Sequence, residues 1–175
     1  MIDKDSFTVE EWAQIVSAPA SVGALVVTAD PSGPFGLIGE FKAILSSMQS
    51  YVDAHAADSS LMAALKHYMS NQPTEEEQAQ LKQWADQQQE QMKANRPKTP
   101  EELQQRVRET VSGTLNLLRD KGAEAGDVDS FKAMMIGVAE ATANASKEGG
   151  FLGFGGTLVS EKEQSILTQI QAELG

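Results

Sequence analysis

The chain of 175 residues has no cysteine and only two histidines, His55 and His67. Without cysteine, disulfides, thiolate metal sites and a thiol nucleophile are excluded. No Glu-x-x-His or His-Glu-x-x-His pattern occurs, so a ferritin-type di-iron site and a zincin lack their ligands. Because an absence of thiols suits a reducing compartment, we expect a cytoplasmic protein.

Long apolar runs and basic clusters are also scarce. The best continuous apolar run, residues 22–29, is far shorter than the roughly 20 residues that a membrane-spanning helix needs. Residues 1–5 are acidic and lack the apolar segment of a signal peptide. The net charge of −11 disfavours binding to nucleic-acid phosphates or to anionic lipid. We therefore expect no nucleic-acid partner and no membrane span, and the charge is compatible with a cation or a basic protein surface.

Helix starts are clearly marked. The pairs with capping-box spacing are Thr8/Glu11, Thr74/Glu77, Thr99/Glu102 and Ser160/Glu163. In each pair the hydroxyl is placed to accept from the amide three residues on, and the glutamate to reach back to the cap amide. Phe7 and Trp12 have the spacing of a hydrophobic staple, and Pro19 predicts either a kink or two short helices in the first helical segment.

Apolar residues recur with the helical period after each start, and no stretch shows a period of two. The second helix is predicted to bury Leu37, Phe41, Ile44, Leu45, Met48 and Val52. The pattern predicts an all-α, single-domain bundle of about seven helices over residues 1–175. Its parts are a first hairpin (8–54), middle helices (59–122) and a second hairpin (127–175).

The two hairpins are built alike. Each joins two helices through a glycine-rich loop, residues 30–39 in the first and 147–156 in the second, which predicts two pseudo-symmetric repeats that superpose. Gly153 and Gly155 supply Gly-x-Gly, but the third glycine of a dinucleotide fingerprint would fall on Leu158, and a helix precedes the loop instead of a strand. We therefore expect no nucleotide and no other cofactor.

Both loops carry apolar residues that a turn does not require. They either fold back into the bundle or form an exposed patch that docks a partner. We expect Phe151 to be buried and Phe154 to be exposed. The helix over 74–94, in which half of residues 78–91 are glutamine, is either an outer helix or a further partner surface. The partner-binding candidates are Phe35, Leu37, Ile38, Leu152, Phe154 and Trp84.

A cation site is a weaker hypothesis. Asp30, Glu40 and Glu148 flank the loops and are the candidate ligands, because hard cations take several carboxylate and carbonyl oxygens. An EF-hand is excluded, since Pro31, Gly33 and Phe35 occupy the places of its ligands. We expect no tightly bound Ca²⁺ or Mg²⁺.

The two hairpins resemble the TerB-like tellurite-resistance family. The matching stretches are residues 25–33 leading to Glu40, and residues 139–149 leading to Glu163. The resemblance implies an all-helical fold with a duplicated helix–loop–helix, and a link to stress response, membrane-associated complexes and metal interaction. In this chain Pro31 and Ser32 separate Asp30 from the following glycine, and the second copy has no aspartate, so the metal association does not carry over.

Taken together, these observations favour a non-enzymatic protein that acts through contacts with other proteins and is stress-related. No activated nucleophile or acid–base pair is identifiable, and homo-oligomers are compatible with the sequence. The alternative is a module that binds a small ligand or a cation through acidic residues around the two glycine-rich loops.

Overall fold

The computed structural model describes residues 1–29, 33–145 and 160–174, and for residues 33–37 it describes the backbone alone. These residues form seven helices and no strand, which confirms the all-α prediction. The helices are α1 (Val9–Ala29), α2 (Gly33–His55), α3 (Ser60–Ser70), α4 (Glu75–Ala94), α5 (Pro100–Asp120), α6 (Ala125–Ala145) and α7 (Glu161–Leu174).

Helices α1 and α6 form the centre of the bundle. Each packs against the other, α1 also contacts α2, α4, α5 and α7, and α6 also contacts α2, α3, α5 and α7. The residues of α6 at its centre, Phe131, Met134 and Met135, are completely buried. Helices α5, α6 and α7 each turn one apolar face toward the core. Helix α5 buries Val107, Val111, Leu115 and Leu118.

The predicted capping boxes form at three of the four starts. Thr8 and Glu11, Thr74 and Glu77, and Ser160 and Glu163 each exchange both hydrogen bonds. At α5 only one arm forms, because the Glu102 carboxylate accepts from the Lys98 amide at 2.6 Å instead of reaching back to Thr99. The box predicted for Thr99 and Glu102 is therefore wrong in one of its two hydrogen bonds. The Glu102 carboxylate accepts from the Lys98 amide in place of the Thr99 amide.

The start of α1 is fixed by a cluster of aromatic rings. Phe7 and Trp12 meet edge to face at 4.8 Å between centroids, and Trp12 stacks on Tyr68 of α3 at 5.1 Å. The Trp12 indole N–H donates to the Lys4 carbonyl at 3.1 Å. The hydrophobic staple thus holds the N-terminal segment and α3 together.

Pro19 does not divide α1, which runs unbroken from Val9 to Ala29. Of the two alternatives predicted at Pro19, the one with two short helices is wrong, and a kink stays a prediction. Ile15, Pro19 and Val22 are all buried, and their packing holds the helical path across the missing hydrogen bond. By length and composition α1 could cross a membrane, because an 18-residue window of it has a mean hydropathy of 1.4, which the short apolar run did not indicate. Half of that window is buried inside the bundle, as in the core helix of a soluble protein.

Helix α2 presents a different face to the core from the one predicted. Ile44, Met48 and Val52 are buried as expected, but Phe41 and Leu45 are 59% and 63% exposed. Since apolar residues cover more of the α2 circumference than its neighbours α6, α3 and α1 can contact, one apolar row is left in solvent.

Helix α4 is the outer helix of the bundle. It has no buried residue and packs against α1, which confirms the interpretation of the glutamine-rich segment as an outer helix.

The second glycine-rich loop, residues 147–156, lies outside the described residues. The first, residues 30–39, is wrong as a loop from Gly33 onward, because α2 begins at Gly33 and only residues 30–32 lie outside the described part. Pro34, with its fixed φ, suits the first turn of a helix, so the glycines around it do not prevent the helix from starting there. Helix α1 contacts both α6 and α7, and α6 contacts both α1 and α2. The pseudo-symmetry of the hairpins stays a prediction, because packing partners alone do not establish a common crossing angle.

Candidate functional site

The exposed apolar row of α2 consists of Ile38, Phe41 and Leu45, here called the α2 stripe. Their exposed fractions are 70%, 59% and 63%, and they account for three of the five large apolar residues exposed in the described part of the chain. Their i, i+3, i+7 spacing places them on one side of the helix. Scattered exposed apolar residues need no explanation, but a row along one helix is the form of a helix-packing seam.

The surroundings of the α2 stripe carry little charge. From residue 38 to residue 52 the only Asp, Glu, Lys or Arg residues of α2 are Glu40, which is buried, and Lys42, which is exposed. Lys42 makes no ion pair with any described residue. Further along, Asp53 is exposed but pairs with Lys66 of α3 at 2.9 Å. In a chain of net charge −11, this face is therefore apolar with a single cation.

Two of the six predicted partner-binding residues have described side chains. Ile38 lies in the α2 stripe. Trp84 lies half-buried on α4, which packs against α1. The side chains of Phe35 and Leu37, and the residues Leu152 and Phe154, lie outside the described part, as does Phe151. Sequence reasoning missed Phe41 and Leu45, because both match the helical period of the core.

Of the three candidate cation ligands, only Glu40 lies among the described residues. Glu40 is 1% exposed, on the face of α2 that packs into the bundle. Asp30 and Glu148 lie outside the described residues. In the described ranges no group of three or more His, Asp or Glu side chains is placed to hold a metal ion.

A buried carboxylate that sequence reasoning missed is Asp127, in the first turn of α6. It accepts from the Ser59 and Ser60 hydroxyls at 2.6 and 2.7 Å and from the Leu61 amide at 3.1 Å. The Ile2 amide donates to the Ser60 hydroxyl at 3.0 Å, so the network also holds the N-terminal segment.

The environment of Asp127 acts on its pKa in two directions. Burial raises the pKa of this carboxyl, but the hydrogen bonds from Ser59, Ser60 and the Leu61 amide outweigh burial, and the pKa lies below its usual value. The ionised carboxylate therefore completes the N-terminus of α3, where orphan amides and the helix dipole favour a negative charge. The adjacent serines, Ser59 and Ser60, were the only sign in the sequence of this network. They did not identify Asp127 as the acceptor, because it lies 68 residues from Ser59.

A second perturbed carboxylate, Glu11, lies at the start of α1. Burial raises the pKa of Glu11, but hydrogen bonds from the Lys121 ammonium at 2.8 Å and from the Thr8 amide lower it by more. The pKa therefore lies below its usual value. The Lys121 ammonium also lies 6.0 Å from the centre of the Phe7 ring. This arrangement joins the end of α5 to the start of α1 and explains Glu11 as a structural residue.

The histidines are accounted for locally. His55 stacks on Tyr51 with 4.0 Å between ring centroids, and its Nδ1 lies 2.9 Å from the Tyr51 carbonyl oxygen. His67 is exposed in the last turn of α3.

No family model matches the chain, and neither a curated protein nor a solved structure matches it. The resemblance to the TerB-like family therefore stays a prediction.

Proposed function

We propose that this protein is a non-enzymatic, cytoplasmic helical protein that binds another protein through the α2 stripe. The observation that carries the proposal is the exposure of Ile38, Phe41 and Leu45 in one row, on a helix whose adjacent row packs into the bundle. Burying such a row releases about 25 cal/mol per Å² of apolar surface, which is the main driving force of helix docking. The TerB-like resemblance supports a stress-related setting.

The chemistry of the stripe indicates what kind of partner fits it. An amphipathic helix with an apolar ridge matches the i, i+3, i+7 spacing, and a carboxylate beside that ridge would pair with Lys42. A second copy of this chain fits less well. An antiparallel pairing centred on Phe41 would bring two Lys42 ammonium groups together and join two chains of net charge −11.

The proposal is tested by photo-crosslinking in cells from position 41, with the same crosslinker at position 92 as control. Met92 is matched because it is 51% exposed and apolar but lies on α4. We expect a protein crosslinked from position 41 only, through a peptide with an amphipathic helical pattern. The purified pair should bind at least tenfold more weakly with Phe41→Asp or Leu45→Asp, and normally with Met92→Asp.

Two outcomes contradict the proposal. Equal crosslinking from positions 41 and 92 would show that the stripe has no special role. A dimer in sedimentation that Phe41→Asp dissociates would make the stripe a seam between copies of this chain.

A further inference from the structure

A second surface differs from the rest of this acidic molecule in charge. A cleft of about 670 Å³ opens where the linker between α4 and α5 passes the ends of α1 and α7. Its lining includes Arg96, Lys98 and Lys162, and no Asp or Glu among the described residues. Since the chain has 25 acidic and 14 basic residues, a cleft with three cations and no carboxylate departs from the average surface.

The three basic side chains, those of Arg96, Lys98 and Lys162, are exposed and form no ion pair within the described part of the chain. The nearby Glu102 carboxylate accepts from the backbone amide of Lys98, and it lines the neighbouring surface instead of the cleft. The ammonium and guanidinium groups are thus available to an anion.

The base of the cleft is apolar and continues into the bundle. Leu25 and Ile166 line both the cleft and a narrower pocket of about 80 Å³ between α5 and α7. Val111 and Ile170 line this inner pocket, with Val22 of α1 as part of its floor. Because they share lining residues, the two cavities lie next to each other, and together they are here called the α5–α7 groove. The cleft is its basic mouth, and the inner pocket, lined by apolar residues together with Arg108 and Glu173, is its inner end.

An ion pair joins the two walls of the inner pocket. Arg108 of α5 and Glu173 of α7 both line the inner pocket, and Arg108 Nε lies 2.6 Å from Glu173 Oε1. An inner volume of about 80 Å³ is too small for a helix, whose diameter with side chains is about 10 Å. An alkyl chain is thin enough to enter it.

We propose that the α5–α7 groove binds an amphipathic monoanion of the fatty-acid type. The carboxylate lies at the mouth among Arg96, Lys98 and Lys162, and the alkyl chain extends between α5 and α7 over Leu25 and Ile166. The volume of the mouth falls in the usual range for small-molecule sites, which are mostly apolar with a few placed polar groups. This site is separate from the α2 stripe and does not depend on its function.

The probe is decanoate, titrated by calorimetry below its micelle concentration. We expect saturable binding, weakened at least fivefold by Lys162→Gln and at least tenfold by Lys162→Gln combined with Arg96→Gln. Lys82→Gln is the matched control, because Lys82 is an exposed lysine of α4 outside the cleft, and it should bind as the original chain does. Decanol and decyltrimethylammonium should bind at least tenfold more weakly than decanoate.

A second variant tests the apolar end. Val111→Trp narrows the inner pocket and should weaken decanoate at least fivefold while changing hexanoate less than twofold, and its circular dichroism spectrum should match that of the original chain. If Val111→Trp does not fold, Ser112→Trp, at an exposed position that also lines the inner pocket, takes its place with the same expectation.

Four results of these titrations would overturn the proposal. These are no saturable binding of decanoate, equal binding of decanol, equal weakening by Lys82→Gln, and equal loss of hexanoate and decanoate in the tryptophan variant. Vesicles of phosphatidylglycerol distinguish the other source of an anionic head group. Flotation with vesicles that depends on Lys162, without decanoate binding, would assign the cations to a membrane surface and also overturn the proposal.

Discussion

Helices α1 and α4 are nearly the same length, 21 and 20 residues, and both begin with a capping box. Helix α1 buries nine residues and contacts five other helices, whereas α4 buries none. Local signals therefore define where a helix starts, but they do not decide how far it enters the core. The width of the apolar stripe decides that, since α4 offers only Leu81, Trp84 and Met92 among its glutamines.

The two tryptophans give the sharpest test of this difference, because each helix has one. Trp12→Ala removes a buried ring that contacts Phe7 and Tyr68, and we expect a loss of ~3–5 kcal/mol in the free energy of unfolding. Trp84→Ala, at a half-buried position, should lose about 1 kcal/mol or less. Urea unfolding followed by circular dichroism measures both, and equal losses would mean that α4 is as integral to the core as α1.

The N-termini of α3 and α4 allow the same comparison for polar groups, because the cap of α3 is buried and that of α4 is exposed. Asp127→Ala leaves two hydroxyls and the Leu61 amide without their acceptor, and we expect a loss of ~2–4 kcal/mol. Thr74→Ala removes an exposed cap and should lose ~1 kcal/mol. If both variants lose the same amount in urea unfolding, burial adds nothing to the Asp127 network.

The Asp127 network also predicts a dependence on pH. Its pKa is lowered in the folded state, so the unfolded chain binds the proton more readily, with a pKa of about 3.9. The carboxylate stabilises the fold fully above that value, and this stability is lost as the pH falls from about 5 through the lower folded pKa. In Asp127→Asn the decline in the free energy of unfolding over this range should be smaller, and an unchanged decline would assign acid sensitivity to other carboxylates.

The last comparison concerns two helical glycines, one at a close helix crossing and one with space around it. A Cβ at Gly23 would lie 2.6 Å from Ile44 Cγ1 and 3.1 Å from Thr142 Oγ1. Gly23→Ala should therefore destabilise by about 1–2 kcal/mol, although alanine favours the helix. A Cβ at Gly137 meets nothing within 4 Å among the described residues, so Gly137→Ala should stabilise by ~0.5–1 kcal/mol. Thermal melts that rank the two variants in the opposite order would show that Ile44 moves aside at little cost.

The sequence predicts those parts of the fold that depend on neighbours along the chain. Three complete capping boxes and the staple of Phe7 and Trp12 are encoded within a few residues, and so is the end of α5 at Gly122, where φ is +81°. The choice among apolar rows on α2 is different, because rows through Phe41 and Ile44 have the same period. Only the position of α6 decides which row is buried, so the candidate site was predicted at Ile38 and missed at Phe41 and Leu45.

Asp127 shows the same limit for polar groups. Its residue type and its place in a first helical turn indicate an ordinary favourable interaction with the helix dipole of α6. Its actual role is to complete another helix, and the serines that it joins give no local sign of their distant acceptor.

The distance along the chain between Asp127 and its donors has a consequence for biosynthesis. Ser59 and Asp127 are 68 residues apart, so at about 5–20 residues per second roughly 3–14 s separate their synthesis. During that interval the apolar face of α1 also waits for α5, α6 and α7, its packing partners from the later part of the chain. Because contacts of such long range form slowly, the N-terminal half cannot finish folding before those later helices have been synthesised, and this interval is when a chaperone has most apolar surface to protect.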